Sequence, residues 1–191
     1  IHHRVKNNLQ TVSALLRLQS RRSSEEAVKV ALAEAERRVQ AIATVHAALS
    51  QNVDESVDFD EVARTIVRMA GAIASTDHAV EVITTGSFGT IQADQAQALA
   101  TVLNELVANS VEHGLADRDG LIEVRAEREG TSMTVTVADN GVGFVPGTPM
   151  SGLGTQIVHQ MVRGELKGSI EWAPREGGGT LVTLHANLDP A

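Results

Sequence analysis

Asn104-Glu105-Leu106-Val107-Ala108-Asn109-Ser110-Val111-Glu112-His113-Gly114 is the stretch that decides the fold. Its apolar residues recur at helical spacing and join Leu99 and Leu103 upstream. Glu105 and Asn109 are four apart and His113 lies four further on, so a helix sets all three on one strip beside an apolar strip. The helix is expected to run from Asp94 to His113 and to stop at Gly114, as a C′ glycine stops one. A carboxylate, a carboxamide and an imidazole next to a core face suit a partly buried polar site. An Asn oxygen is a ligand that Mg²⁺ accepts beside waters and phosphate oxygens. A polar helix edge with ordinary hydrogen bonds explains this segment alone equally well.

Two later segments shift the balance. Asp139-Asn140-Gly141-Val142-Gly143-Phe144 follows an alternating, strand-like run. A carboxylate at a strand end can accept a hydrogen bond from an exocyclic amine, and glycines let a ligand approach the backbone closely. The bland alternative is an Asn-Gly turn. Ser151-Gly152-Leu153-Gly154 opens a helix, whose free N–H groups are a natural anion site. No GxxxxGK[ST], no GxGxxG after a strand and no HExxH occurs, so P-loop, dinucleotide-fold and zincin chemistry are excluded.

Outward from these motifs the chain reads as two units. Residues 1–22 carry a seam of Val5, Leu9, Val12 and Leu16. Ser23 and Glu26 fit a capping box, and a second helix to about Ser50 carries Val28, Leu32, Ala35, Val39, Ile42, His46 and Leu49. Residues 1–52 are therefore expected to form an antiparallel helical hairpin. One hairpin leaves apolar surface wet, so residues 1–50 are expected to pair with a second copy as a four-helix bundle. Residues 51–58 are polar and read as a linker. Residues 58–189 mix helices (59–74, 94–113, 153–163) with strands (80–84, 90–93, 121–127, 133–137, 169–172, 180–186), without strict βαβ alternation. The fold class expected is α+β, an α/β sandwich following the hairpin.

Composition narrows the function. The 191 residues contain no cysteine, which excludes disulfides, thiolate catalysis and cysteine-ligated zinc. Net charge is −8 and aromatics make up only 2%, so direct nucleic-acid binding is not expected. Residues 1–50 are net positive while the remainder is strongly acidic, which makes the hairpin the natural face for an acidic partner. No apolar run is long enough to span a bilayer and no signal peptide is visible, so the location expected is cytoplasmic.

Taken in order, the three segments resemble the N, G1 and G2 boxes of the GHKL ATPase superfamily, whose ATP-binding domain has the Bergerat fold. Gly177-Gly178-Gly179-Thr180 resembles the fourth element of that site. The resemblance implies that Asn109 coordinates Mg²⁺ and that Asp139 reads the adenine amine of ATP. It implies that Gly141 and Gly143 shape the adenine pocket and that Gly152, Leu153 and Gly154 cradle phosphates under a lid. His113 would line the site, Thr180 would support the adenine, and Glu105 would be a base or polar support. The opening Ile1-His2-His3-Arg4-Val5-Lys6-Asn7-Asn8-Leu9-Gln10 resembles the phosphoacceptor box of the HisKA_2 histidine kinases, which are related to the HWE kinases. The register of Lys6 and Leu9 makes His3 the acceptor. Arg4 stands where many histidine kinases carry an acid, and the lid from Phe144 to Ser151 is short.

The resemblance thus implies the excised core of a sensor histidine kinase. It would autophosphorylate on His3 with Mg-ATP and pass the phosphoryl group to an aspartate of a response-regulator receiver domain. In one cytosolic actinobacterial branch that regulator is an RNA-binding antiterminator. Two rivals remain: a GHKL serine kinase acting as an anti-sigma factor, which shares the nucleotide boxes, and a non-catalytic docking scaffold with a dead ATP lobe, against which the intact Asn109, Asp139 and glycine pairs count.

Overall fold

The computed structural model describes residues 2–49, 56–74, 78–144 and 152–190. Helix α1 (His2–Arg22) and helix α2 (Glu26–Leu49) turn back on each other through Ser23-Ser24-Glu25 and pack along their length. Arg17 of α1 crosses to Glu36 of α2, its Nε 2.8 Å from Oε1. The capping box does not form. Ser23 Oγ accepts from the Glu25 backbone N–H, and the Glu26 carboxylate turns to Lys29 instead. Val12, Leu15, Leu18, Val28 and Val30 remain exposed on the hairpin, so its apolar surface exceeds what the two helices hide from each other.

The rest of the chain is a five-stranded sheet with helices on one face. The strands are β2 (Val80–Gly86), β4 (Gly120–Glu129), β5 (Ser132–Asp139), β6 (Ser169–Pro174) and β7 (Thr180–Asn187), in the order β2-β4-β5-β7-β6. Only β2 and β4 run parallel; the other pairs are antiparallel. Alternation places Ile122, Val124, Ala126, Met133, Val135, Val137, Val182, Leu184 and Ala186 inward. The opposite face carries Glu123, Thr134, Thr136 and His185, with an Arg175–Glu123 ion pair and a Thr134–His185 hydrogen bond of 3.1 Å. Such a one-sided sheet needs a cover, and α3 (Phe59–Ala74), α4 (Ala93–Asn109) and α5 (Leu153–Gly164) supply it. The class is the α+β sandwich the pattern implied. Among the described residues no helix is long and apolar enough to cross a membrane.

Three further details depart from the sequence expectations. Ser56–Asp58, read as the end of a linker, forms a short strand β1 that pairs antiparallel with β3 (Thr90–Gln92); residues 51–55 lie outside the described residues. Three residues are too few to show a periodicity, and the pairing is with a segment far along the chain. The long helix ends as α at Asn109 and continues as a π-helical turn, Ser110–Gly114. Helix α4 is also no two-sided helix. Gln95, Ala96 and Ala98 to Ala108 are all buried, because α2 covers the side away from the sheet. Gln95 fixes its start, donating from Nε2 to the Glu165 carbonyl at 3.1 Å and accepting from the Asp189 N–H at 2.9 Å.

Candidate functional site

β5 ends on Asp139, whose side chain is 2% exposed. Its Oδ1 accepts two backbone hydrogen bonds, from Gly141 N–H at 2.9 Å and from Thr180 N–H at 3.2 Å. These hold the carboxylate rigidly and bring the starts of the Asp139–Gly143 loop and of β7 together. Oδ2 receives no hydrogen bond from any described residue, so it is left for a donor from outside the chain. Glycine is required around it. A Cβ on Gly141 would run into the carbonyl of Gly114, which accepts the Val142 N–H at 3.0 Å, and one on Gly179 would strike the Asp139 carbonyl. Gly179 also has φ +98° and Gly143 φ +80°, which L side chains rarely adopt. Gly114, read in sequence only as a helix stop, packs its Cα against the Asp139 carboxylate. The signal for that contact lay in no local pattern, since the two residues meet only through the fold.

A second polar group lies on α4. Glu105 is 1% exposed and its carboxylate is gripped by Arg38 of α2, Nε to Oε1 at 2.8 Å and Nη2 to Oε2 at 3.2 Å. Arg38 also approaches Glu34, one turn earlier on its own helix, at 3.5 Å. A Cβ on Gly154, in the first turn of α5, would collide with Glu105 Oε2 and come within 3.0 Å of Arg38 Nη2. The glycine therefore lets the first turn of α5 rest directly on this ion pair. Arg38 was not singled out from the sequence, where it counted only towards the net positive charge of residues 1–50. Gly152 is the N-cap of α5 with extended backbone and no side-chain cap, and Leu153 is the first helical residue. The side chain of Leu153 and all of residues 145–151, the rest of the expected lid, lie outside the described residues.

Asn109 sits one turn beyond Glu105, half-buried, and its carboxamide makes no hydrogen bond to another described residue. An uncommitted carboxamide oxygen at this place fits Mg²⁺, which needs one or two protein oxygens when phosphates and waters complete its shell. Among the described residues no group of three or more His, Cys, Asp or Glu side chains is placed to hold a metal ion. His113 is exposed. It lies in the π turn, whose wider winding breaks the i, i+4 strip that placed it beside Asn109. Such single π turns recur at functional sites. His3 lies in the first turn of α1, and its side chain falls outside those described.

Fold and site geometry together define a GHKL-type nucleotide-binding domain preceded by a helical hairpin. The family described as histidine kinase-, DNA gyrase B- and HSP90-like ATPase matches residues 94–190, and the HisKA_2 histidine kinase family matches residues 1–73. The chain belongs to the histidine kinases of this ATPase family. Among curated relatives it is 44% identical over 193 residues to the sensor histidine kinase PdtaS of Mycolicibacterium smegmatis, covering 98% of this chain and 39% of that protein. It is 28% identical to blue-light-activated histidine kinase 2 of Erythrobacter litoralis, covering 98% of this chain and 56% of that one. The chain thus spans well under two thirds of these relatives' length. In fold it is similar to the solved histidine kinase domain of the Erythrobacter litoralis EL346 blue-light-activated kinase, with a TM-score of 0.71, 20% identity, and coverage of 98% of this chain and 94% of that one.

Proposed function

We propose that the chain is the kinase core of a two-component sensor: it binds Mg-ATP, transfers the γ-phosphoryl group to His3, and gives it to an aspartate of a receiver domain. The observation that carries this is Asp139. It is a buried carboxylate with one oxygen fixed by Gly141 and Thr180 and the other open, with Gly114, Gly141 and Gly179 packing backbone closely around it. An adenine amine is the donor that fits, and Thr180 at the start of β7 stands beside it. The N-terminus of α5, which opens at the exposed Gly152, would receive phosphates through its free N–H groups. Asn109 would hold Mg²⁺ through its side-chain oxygen, and that ion would neutralise charge on the phosphate chain.

The chain's own residues then do the positioning, which is most of the work in phosphoryl transfer. An imidazole is largely neutral at pH 7, so His3 needs little activation. A ring nitrogen lone pair attacks phosphorus, the N–P bond forms, the bond to the β,γ-bridging oxygen breaks, and ADP leaves with that electron pair. Residues 1–52 act as dimerisation and phosphotransfer hairpin and residues 58–189 as catalytic domain, in a cytoplasmic protein. The exposed Leu15 and Leu18 support a homodimer through residues 1–50, and the hairpin's positive charge supports docking of an acidic receiver domain. The resemblance of the opening helix to the cytosolic actinobacterial branch makes a regulator of the RNA-binding antiterminator type the receiver to try first.

The test is to incubate the chain with γ-labelled Mg-ATP and challenge the label with acid and with base. Phosphohistidine survives base and is lost in acid. Label that survives acid would restore the serine-kinase reading, and no label together with tight ATP binding would restore the docking scaffold.

A further inference from the structure

The Arg38–Glu105 pair joins two elements that the phosphoryl-transfer account above does not connect. Glu105 is a carboxylate on the nucleotide helix α4, buried, and in contact with the first turn of α5, where that account puts the phosphates. A free carboxylate there is placed to activate water. Water would attack the γ-phosphorus, its proton would pass to the carboxylate, the bond to the bridging oxygen would break, and ADP and inorganic phosphate would form. That reaction wastes the nucleotide in a protein whose acceptor is a histidine.

The carboxylate is not free. Both oxygens are engaged by the Arg38 fork, and the guanidinium is itself largely buried. A carboxylate held in this way is fixed in orientation by a two-point contact, with each oxygen already turned to the guanidinium rather than to a water at the phosphate site. The arginine comes from α2, the helix that pairs with the histidine-bearing α1. The groups facing the pair are few. Glu34 stands 3.5 Å from Arg38 on its own helix, and Asn109 is one turn further along α4.

Building on the histidine-kinase reading above, we infer that Arg38 is a positioning residue that withholds Glu105 from water, so that docking of the hairpin on α4 directs the phosphoryl group to histidine rather than to hydrolysis. The hairpin then does two things: it carries the acceptor, and it disarms the base that would compete with that acceptor.

The experiment measures, on the full chain with Mg-ATP, the initial rate of inorganic phosphate release and the initial rate of phosphohistidine formation. Decay of the isolated labelled protein is followed alongside, so that phosphate from spent phosphohistidine is subtracted. Arg38→Gln should raise the ratio of release to labelling at least fivefold. Glu105→Gln should leave the ratio near the parent's, since the carboxylate it removes is already withheld, and the Arg38→Gln/Glu105→Gln double variant should follow Glu105→Gln. Arg38→Lys, which keeps the charge but loses the fork, should fall between parent and Arg38→Gln. A purely structural role predicts instead that release and ATP binding fall together in Arg38→Gln and that the second substitution cancels nothing. A ratio in Arg38→Gln at or below the parent's, or one that stays high in the double variant, overturns the inference. If Arg38→Gln does not fold, Arg38→Lys decides by itself: it loses the fork but keeps the charge, and a ratio at or below the parent's in that variant overturns the inference. A parent chain that neither binds nor is labelled by ATP refutes the histidine-kinase reading first and is told apart by that control.

Discussion

Arg38 lays its guanidinium along the Glu105 carboxylate, Nε 2.8 Å from Oε1 and Nη2 3.2 Å from Oε2, and so ties the hairpin to the nucleotide helix. The neighbouring Arg37 pairs with Glu112 in the π turn, so two consecutive arginines grip acids at either end of the same stretch. The two pairs differ in burial, with Glu105 sealed and Glu112 about a third exposed. Arg38→Ala leaves a buried charge unpaired and should destabilise the chain by about 3–5 kcal/mol. Glu112→Ala leaves the largely buried Arg37 without its partner but removes an acid that is itself partly solvated, and should cost less, about 1–2 kcal/mol. Denaturant unfolding of the two variants checks this, and equal losses would mean that the grip is not set by burial.

Asp139→Asn keeps the shape of the side chain and an oxygen for Gly141 and Thr180, but it removes the charge facing the open Oδ2 side. Hydrogen bonds to charged groups are worth about 1.5–3 kcal/mol, so ATP affinity should fall by roughly one to two orders of magnitude. The melting transition should move little. Calorimetric titration giving the parent affinity would place the adenine elsewhere.

Gly179 and Gly130 separate steric demand from mere turn geometry. Both have positive φ, but a Cβ on Gly179 meets the Asp139 carbonyl while one on Gly130, in the β4–β5 turn, meets nothing within 4 Å. Gly130→Ala should cost about 1 kcal/mol for its left-handed backbone. Gly179→Ala should cost more, about 2–3 kcal/mol with the backbone strain included, and should also weaken ATP binding by moving the Asp139 loop. Paired stability and binding measurements test the difference in both quantities.

Leu15 and Leu18, 55% and 52% exposed, add little to the folding of one chain but are suited to an interface. Leu15→Asp should leave unfolding free energy within about 1 kcal/mol of the parent when measured on the monomer. In sedimentation equilibrium the parent should run at twice the 20.2 kDa chain mass and the variant at that mass. A monomeric parent at micromolar concentration contradicts the bundle.

Legibility in the sequence followed distance along the chain. The sheet strands show as alternation because each stands half in the core, and Asp139 with Gly141 is a local pair two residues apart. The link from Asp139 to Thr180 spans 41 residues and was available only through resemblance to known nucleotide boxes. Arg38 and Glu105, 67 residues apart, left no mark at all. An arginine on an amphipathic helix looks the same whether its head is in water or on a buried acid. The π turn at Ser110–Gly114 and the three-residue β1 were equally silent, since both are imposed by packing rather than by periodicity.

The central claim is that the γ-phosphoryl group of ATP comes to rest on His3. Adjacent helical residues point in different directions, so His2 and His3 cannot both present a ring to one nucleotide. Peptide mapping by mass spectrometry, on chain treated with Mg-ATP and digested at alkaline pH, reads the position directly. The account predicts the phosphoryl group on His3, its disappearance in His3→Gln, and persistence of ATP binding in that variant. Phosphorylation mapped to His2, to a serine or threonine, or undiminished in His3→Gln would contradict it.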